Sequence, residues 1–493
     1  MFKSTRLQSI LAGLALLIVP QSLAAKTIFV KSGASGMATG ANWNDAYGSP
    51  HQALAEALPG DQVWIAQGTY TPSTPFDPNA SFVVPNGVSV YGGFSGVESN
   101  LSQRDWTAAT TTFSGPLPEG VQIVRVADGS QNVVLDGLTI KNSTGVYTVG
   151  GALYAPNCDI QVRNCTFRDN ASYQAIGTCI AIENGFATIT NCLFDNNYAR
   201  FTDGGGVATF GTAGVYVDKC TFSNGRGDSY ASGGNGVGIA CKGTGVSKIV
   251  RSQFVNNIGL PVSGSQYPSY GGAVYAEVPI TIDRCTFTGN TSVLGGAVYS
   301  WRSLTITNSL FKNNQGTQFG GAVGTYYYNN DLLKMTGCTI VDNTAHETAG
   351  VYYNGAGTYS TNISGCIFWG NSDIYGSVSQ THVKKASYSC VQNMLVARPS
   401  EDPIDPAKFS HCFSSNPQFL AYPNDLRLAA SSPCIDAADK SKYDALTTLD
   451  LSGKTRFFDF PKAPNVGFGS GPLPDMGCFE TYGTGRDSKV PIR

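Results

Sequence analysis

The chain has 493 residues, and its 32 lysines and arginines nearly balance its 34 aspartates and glutamates, for a formal net charge of −2. This balance argues against nucleic acid or a membrane surface as a partner, because both are bound through a strongly basic patch. Charged residues are scarce at 13% and there are 58 glycines, which agrees with an extracellular repeat protein.

The first 25 residues have the pattern of a secretory signal peptide. Lys3 and Arg6 precede an apolar run at residues 10–19, and Ser22 and Ala24 offer small residues for cleavage. The alternative, a transmembrane anchor, is disfavoured because the apolar run is short. No cysteine follows the cleavage region, so a lipid anchor is not indicated. We therefore expect a secreted protein, either extracellular or on the outer surface of the cell.

Residues 26–80 are predicted to form an N-terminal cap and a first coil. Thr27–Val30 has the alternation of a strand, residues 51–58 predict a short helix, and Gln62–Ala66 resumes β-structure. An open end of a repeat array exposes unpaired backbone and core side chains, so a covering element is required there.

One unit recurs through the middle of the chain. It is clearest at residues 271–290 and 295–314, where Gly-Gly-Ala-Val-Tyr opens a segment that ends in Phe-x-x-Asn. The apolar residues that anchor successive copies lie 24 to 33 residues apart, a period typical of a solenoid. These anchors are Phe167, Phe194, Phe222, Phe254, Phe287, Phe311, Ile340 and Phe368.

Each copy carries two runs in which apolar and polar residues alternate with period two, which predicts strands rather than helices. In the second run, aliphatic residues such as Ile282 and Ile306 point inward, followed by an inward column of small residues and then by the phenylalanines. The small column contains Cys165, Cys192, Cys220, Ser252, Cys285, Ser309, Cys338 and Cys366.

Three residues after each anchor a turn closes, usually on asparagine. Asparagine tolerates the left-handed backbone that such a turn needs, and stacked asparagines can hydrogen-bond to one another. These residues are Asn170, Asn197, Asn257, Asn290, Asn314, Asn343 and Asn371. The predicted fold class is all-β: a right-handed single-stranded parallel β-helix of about ten coils, regular over residues 81–371, with no helix inside the repeats.

After Asn371 the repeat fades, and proline and cysteine become frequent. Residues 372–493 are predicted to form the last coils and a C-terminal cap that wraps around them. This part contains no long apolar span and no series of long amphipathic strands, so membrane insertion is not expected.

These segments together resemble a known group. The Gly-Gly-Ala-Val/Leu-Tyr and Phe-x-x-Asn motifs resemble the repeats of chlamydial polymorphic outer membrane proteins and of bacterial right-handed β-helix repeat proteins. The motif at residues 91–98 (YGGFSGVE), followed by Gln103-Arg104-Asp105, is similar to the opening coils of the same bacterial proteins. The tail from Asn416 to Glu480 resembles the choice-of-anchor Q ending, although the short polar segment after it is no sorting anchor. The resemblance implies the pectin-lyase-like superfold, which hosts lyases, hydrolases, adhesins and inert spacers.

Thirteen cysteines in an oxidising compartment raise the question of a disulfide framework. Six of them share the small inward column with serine and are interpreted as packing residues. Cys434 and Cys478 stand where the resembling tails usually carry a small residue, which implies that they form a disulfide. Cys390 and Cys412 are a second candidate pair. No metal site is predicted, because no Cys-x-x-Cys spacing occurs and histidines are few.

Aromatic side chains in the first strand of the repeat are predicted to face outward. One column contains Tyr154, Tyr275, Tyr299 and Tyr353, and the next contains Lys242, Glu277, Trp301 and Tyr326. Rings on successive coils form an apolar platform suited to stacking on sugar rings, so Tyr275, Tyr299, Trp301 and Tyr326 are candidate ligand-binding residues. The alternative is that these rings only stabilise the sheet.

A basic column contains Lys219, Arg251 and Arg284 on three consecutive coils. Such like charges indicate either an anionic ligand such as a uronate, which would add Lys219 to the binding residues, or compensation by the neighbouring Asp218 and Asp283.

An alternative to binding is catalysis. A polysaccharide lyase needs a base and a cation that neutralises the substrate carboxylate, and Lys242, Lys248, Arg251 and Arg284 could serve if they converge in one groove. Ca²⁺ would be possible only in that case; otherwise no cofactor is expected. A hydrolase needs paired carboxylates, for which Asp203 and Asp228 are weaker candidates.

Two functional classes therefore remain open. The first is a monomeric extracellular binding or adhesion module for a polysaccharide or cell-surface glycan. The second is a lyase, or less readily a glycoside hydrolase, acting on an acidic polysaccharide. The absence of a dense outward cluster of basic and acidic residues favours the first.

The Arg226-Gly227-Asp228 tripeptide matches a sequence read by integrins, but such tripeptides arise often by chance.

Overall fold

A computed structural model describes residues 24–72, 80–115, 122–146, 149–174, 176–229, 234–262, 267–326, 331–354, 361–373, 385–393, 407, 409–444 and 447–482. Within them, each coil in the regular middle of the chain contributes one short strand to each of four parallel sheets, here called sheets 1 to 4 in the order in which a coil visits them. The predicted parallel β-helix is confirmed, and the ten strands of sheet 1 agree with the expected number of coils.

Sheet 1 consists of Phe82–Val84, Val124–Val126, Leu153–Pro156, Ile180–Glu183, Val207–Phe210, Ile239–Cys241, Val274–Ala276, Val298–Ser300, Val323–Tyr326 and Val351–Asn354. Sheet 2 consists of Thr27–Val30, Gln62–Ala66, Ser89–Phe94, Val133–Asp136, Asp159–Arg163, Phe186–Thr190, Gly214–Asp218, Ser247–Val250, Ile280–Asp283, Leu304–Thr307, Leu333–Thr336, Thr361–Ser364, Ala386–Ser387 and Phe409–Ser410.

Sheet 3 consists of Gly68–Tyr70, Thr111–Ser114, Leu138–Lys141, Thr166–Arg168, Leu193–Asp195, Thr221–Ser223, Gln253–Val255, Thr286–Thr288, Leu310–Lys312, Thr339–Val341, Ile367–Trp369 and Cys390–Val391. Sheet 4 consists of Thr144–Val146, Ala171–Tyr173, Tyr198–Arg200, Arg226–Ser229, Ile258–Pro261, Thr291–Leu294, Gln315–Phe319, Thr344–Ala345 and Ser372–Asp373.

The sequence predicted two strands per repeat, and the structure has four. A single left-handed residue breaks the second predicted run into a strand of sheet 2 and a strand of sheet 3, and the segment after the asparagine, Thr291–Leu294 in one coil, adds a strand of sheet 4. Arg284, with φ of 51°, occupies that position in one coil, and Asn308, with φ of 49°, occupies it in the next. One residue of this kind turns the chain without interrupting the alternation, so the inward columns continue through the corner.

The core is a stack of phenylalanine rings inside the coil. Successive rings from Phe167 to Phe311 lie 4.5 to 5.0 Å apart and within 5° of parallel. Each of these rings is at most 2% exposed. This confirms the predicted inward column, whose spacing follows the separation of about 4.8 Å between hydrogen-bonded strands.

The small column next to this stack is a hydrogen-bonded ladder. The backbone N–H of Cys192 donates to Sγ of Cys220 (3.4 Å), and the N–H of Cys220 donates to Oγ of Ser252 (3.1 Å). Cysteine and serine therefore play the same part in this column, which supports their interpretation as packing residues. Burial raises the pKa of the Cys192 thiol well above its usual range, so this thiol stays protonated and unreactive.

A second ladder is built from the predicted asparagines. Asn290 accepts from the backbone N–H (3.1 Å) and from Nδ2 (3.0 Å) of Asn257, and its own Nδ2 donates to Oδ1 of Asn314 (2.9 Å). The predicted stacking is thus confirmed, but the predicted left-handed backbone is displaced by one position. The left-handed residue of this turn is the preceding one, for example Gly289 (φ 67°) or Asn313 (φ 54°).

The α-helix Pro50–Glu56 covers the N-terminal end of the β-helix. Its bounds lie within one or two residues of those predicted from the sequence. Ser49 caps it by accepting from the N–H of His51, and Ala53 and Leu54 pack into the core beside Ile28. The predicted signal peptide lies almost wholly outside the described residues. Across the part of the chain that the structure covers, no helix is long and apolar enough to span a membrane.

The C-terminal tail lies against the outer surface of sheet 3. It contains the antiparallel hairpin Phe419–Ala421 and Asp425–Leu428 and a short 3-10 helix, Lys440–Lys442; the other 3-10 turn, Leu101–Gln103, belongs to the first coils. Arg456 of the tail is completely buried, donates to Oδ1 of Asn308 (3.0 Å) and to the carbonyl of Gly337 (3.1 Å), and lies 3.6 Å from Glu480. This arginine joins the tail to the corner between sheets 2 and 3, as the predicted wrapping cap requires.

All thirteen cysteines are free thiols in this structure, so the predicted Cys434–Cys478 disulfide is not formed. The two residues face different coils of sheet 3. Cys434 packs in an apolar cluster with Cys390 and Ile367, whereas the N–H of Cys478 donates to Oγ1 of Thr339 (2.9 Å). The second candidate pair, Cys390 and Cys412, is also unbridged. The path of the tail separates the thiols, and this path is not encoded in the repeat.

Candidate functional site

The outer face of sheet 1 carries the predicted aromatic columns. Val274 and Ala276 lie in the core, so Tyr275 between them points outward, and parallel pairing sets Tyr275 beside Tyr299 on the next coil. The residue after each strand continues the outward alternation. The backbone N–H of Glu277 donates to the carbonyl of Cys241, and the N–H of Trp301 donates to that of Ala276. The second column, here called the sheet 1 strip, therefore contains Phe210, Lys242, Glu277, Trp301 and Tyr326 on consecutive coils.

The predicted exposure of Tyr275 and Tyr299 is wrong. Their side chains point away from the core but are only 5% and 3% exposed, because Tyr270, from the turn that precedes the strand, covers them. The Tyr270 ring lies 4.7 Å from that of Tyr299 and 6.0 Å from that of Tyr275. These two tyrosines support the surface from below and do not form it.

Tyr353 was also assigned to the wrong column. Register pairs Thr325 with Tyr353 and Gly324 with Tyr352, so Tyr352 continues the outward column and Tyr353 belongs to the core. Val351 is in register with Val323, so Tyr352 directly follows the inward valine, as Tyr299 does in its own coil. Assigning Tyr353 to the outward column is a slip of one residue, which exchanges the two faces of a strand.

Trp301 and Tyr326 form the part of the platform that solvent reaches. Their ring centroids are 5.2 Å apart with an interplanar angle of 56°, and both side chains are half-buried. The indole also meets the rings of Tyr299 and Tyr270, each at 5.6 Å. The buried tyrosines therefore fix the orientation of Trp301, so that the strip presents a preformed apolar surface.

A charged cluster adjoins these rings. Nζ of Lys242 lies 2.8 Å from Oδ2 of Asp203 and 3.6 Å from Oε1 of Glu277. The hydroxyl of Tyr275 donates to the same Oε1 (2.7 Å). The sequence placed Lys242 and Glu277 in one column but missed Asp203 as their partner, because Asp203 comes from the turn before the strand.

Lys242 remains protonated in this cluster. Burial by itself would lower the pKa of Lys242, but the carboxylates of Asp203 and Glu277 outweigh burial and raise it. Burial and the charge of Glu277 together raise the pKa of Tyr275, so its hydroxyl remains a donor. The cluster is a fixed arrangement of one ammonium between two carboxylates.

The four lysine and arginine candidates for catalysis are not gathered in one cluster. Lys242 lies at the end of a sheet 1 strand, and Lys248 lies within sheet 2, in register with Tyr216 and Thr281. Arg251 and Arg284 occupy the corner after sheet 2. Each cation that forms an ion pair uses a different carboxylate, so the described residues show no shared groove.

The basic column is a self-paired corner. Arg251 binds Asp218 with both Nε (2.7 Å) and Nη2, and Arg284 Nε lies 2.8 Å from Asp283. The hydrogen bonds that Arg251 donates to Asp218 raise the pKa of Arg251. Lys219 is exposed at the same left-handed position (φ 53°) and, within the described residues, forms no ion pair. For Arg251 and Arg284, compensation by aspartates is thus the arrangement that the structure adopts.

Asp203 and Asp228 do not form a carboxylate pair. Asp203 belongs to the Lys242 cluster, whereas Asp228 accepts from the hydroxyl of Tyr198 within sheet 4. The Arg226-Gly227-Asp228 tripeptide lies inside the strand Arg226–Ser229, paired on both sides, and not at a loop tip. Throughout the ranges that the structure covers, no three His, Cys, Asp or Glu side chains cluster in the manner of a metal site.

Comparison with known proteins adds the following findings. A family model described as "Right handed beta helix region" matches residues 122–222 and 204–387. Among solved structures, a pectate lyase (Pel9A) has a TM-score of 0.44 and 14% identity over 94% of this chain and 98% of its own, and an alginate lyase of family PL6 (AlyGC) has a TM-score of 0.38 and 12% identity over 81% of this chain and 55% of its own. No curated protein matches the sequence significantly. Because the family model spans more than half of the sequence, the chain belongs to the right-handed β-helix family.

Proposed function

We propose that this protein is a secreted, monomeric β-helix that binds a polysaccharide or cell-surface glycan along the sheet 1 strip. The observation that carries the proposal is the preformed ring pair of Trp301 and Tyr326 on consecutive coils, beside the fixed Lys242 cluster. Aromatic faces pack against the C–H groups of sugar rings, and adjacent polar groups bind their hydroxyls. An extended glycan that runs along the axis meets one residue of the strip on each coil.

A lyase is the second candidate that the sequence raises, and the geometry gives it less support. Proton abstraction requires a base that is neutral near the working pH. The raised pKa of Lys242 keeps that side chain protonated, and Arg251 and Arg284 are each occupied by an aspartate. Binding uses the strip as it stands and needs no cofactor.

The proposal is tested by truncating the exposed ring. Trp301→Ala is expected to weaken binding of the best ligand from a panel of neutral, amino and uronate oligosaccharides by about 10- to 100-fold, because a large aromatic anchor is lost. Calorimetric titration measures the affinity. Tyr326→Ala, on the coil after Trp301, should also weaken binding of this ligand.

Tyr216→Ala is the matched control, because Tyr216 is a half-buried aromatic residue on the outer face of sheet 2. It should leave the affinity unchanged. Equal affinities for wild type, Trp301→Ala and Tyr326→Ala, with unchanged circular dichroism, would show that the ring pair is not a binding surface. Formation of unsaturated uronates on incubation with the purified protein would instead favour the lyase.

A further inference from the structure

The charge of the sheet 1 strip carries information on the class of glycan. Lys242 is the one basic residue of the strip. Its charge is balanced by Asp203, whose Oδ2 lies 2.8 Å from Nζ of Lys242. The carboxylate of Glu277 is a second anion at the same ammonium, at 3.6 Å. One ammonium against two carboxylates leaves this part of the strip with a net negative charge.

Neighbouring charges do not reverse this balance. On the far side of Trp301, Arg302 lies 3.6 Å from Asp331, so this pair is neutral overall. Two coils before Glu277, Phe210 is in register with Glu183, which adds another carboxylate towards the N-terminal end of the strip. Arg125 lies over the ring of Tyr154, and the carboxylates of Asp128 and Glu183 act on the same tyrosine, so these three groups together carry one negative charge. A uronate or sulfated chain along the strip would meet like charge.

Glu277 has one carboxylate oxygen available to a ligand. Both of its described contacts, with the Tyr275 hydroxyl and with Lys242, use Oε1. Its side chain is 40% exposed. Glu277 precedes Trp301 by one coil in the same column, so their backbones are separated by one strand spacing, about 4.8 Å, and one chain along the strip passes both side chains.

We infer that the strip takes an amino-polysaccharide, a glycan with free protonated amino groups, and that Glu277 is the residue that determines this specificity. The inference rests on the proposed glycan binding at this strip. A protonated amine donates to a free carboxylate oxygen in a charge-assisted hydrogen bond, which is roughly twice as strong as a neutral one. N-acetylation removes the positive charge, and a uronate replaces it with a negative one.

The test compares three oligosaccharides of equal length: a glucosamine oligomer, its N-acetylated form and a galacturonate oligomer. At a pH where the amine is protonated, wild-type protein is expected to bind the glucosamine oligomer about tenfold more tightly than the acetylated oligomer. Binding of the galacturonate oligomer should be weakest. Raising the ionic strength should reduce the preference for the amine.

The variant Glu277→Gln separates this inference from the proposed function. Glutamine keeps an acceptor for the Tyr275 hydroxyl but removes the charge, so the ratio of the affinity for the glucosamine oligomer to that for the acetylated oligomer should fall about tenfold. Asp169→Asn is the matched control: it removes one negative charge from an exposed left-handed turn (φ 55°), a position where asparagine fits, and should change neither affinity.

Each outcome has a distinct meaning. Tighter binding of the galacturonate oligomer, or an unchanged amine preference in Glu277→Gln, would overturn the inference while glycan binding at the strip stands. Failure of all three oligomers and of longer neutral chains to bind would overturn the proposed function itself.

Discussion

Replacement of Asn290 by alanine should strongly destabilise the rod. Asn290 is completely buried and sits in the middle of the asparagine ladder. Its Oδ1 accepts two N–H groups of Asn257, and its Nδ2 donates to the carbonyl of Phe254 (2.9 Å) and to Oδ1 of Asn314 (2.9 Å). Alanine removes all four bonds and leaves their partners buried. Because a buried polar group without a partner costs about 1–3 kcal/mol, and because neighbouring losses do not add fully, we expect the free energy of unfolding to fall by about 3–5 kcal/mol.

Urea unfolding followed by far-ultraviolet circular dichroism measures this loss, with Asn313→Gly as the control. Asn313 is exposed and left-handed (φ 54°), so glycine preserves its backbone and should change the free energy by less than about 1 kcal/mol. Hydrogen exchange should locate the damage in residues 254–257 and 311–314. Equal stability of Asn290→Ala and Asn313→Gly would refute the view that the ladder holds the coils together.

Two further predictions concern the C-terminal cap. Arg456→Met leaves Glu480 and several carbonyls without their buried partner, so the free energy that holds the tail on sheet 3 should fall by about 3–5 kcal/mol. Faster hydrogen exchange of residues 475–480 measures this loss. Arg427→Met, which removes an exposed ion pair, should leave that exchange unchanged. Burial and the neighbouring Asp475 raise the pKa of Asp436 to about 7, and burial raises that of Asp475 to about 6. Since both are raised, their protonated forms favour the folded tail, and this stabilisation is complete at acidic pH and is lost as the pH rises to about 7. Exchange in residues 434–438, corrected for its intrinsic pH dependence, should therefore be slower at pH 5 than at pH 8, and Asp436→Asn should reduce the difference; a difference of the opposite sign would contradict this assignment.

The inward columns were predictable because they depend only on local alternation. Phe287 and Phe311 stack inside the coil as the repeat indicates, and Cys285 and Ser309 share one ladder because both are small and offer an acceptor. The position of the left-handed turn was off by one residue. Two adjacent positions of the repeat are rich in asparagine, and the sequence alone does not say which of the two is buried.

The surface was less predictable because its exposure depends on segments that do not repeat. The alternation of sheet 1 correctly directs Tyr299 outward, but Tyr270, from a turn of variable length, covers it. The same kind of turn supplies Asp203 to Lys242. Likewise the tail, which has no period, carries Cys434 and Cys478 to different coils. Only tertiary contacts distinguish a ring that forms the surface from one that supports it.

The location of bound glycan tests the central claim most directly. Hydrogen exchange of the full-length protein, with and without a saturating oligosaccharide, maps the bound surface without any substitution. We predict that protection is confined to sheet 1, in the segments that contain Glu277, Trp301 and Tyr326. Protection confined instead to the corner of Lys219, Arg251 and Arg284, or to sheet 4, would contradict the assignment of the binding surface to the sheet 1 strip.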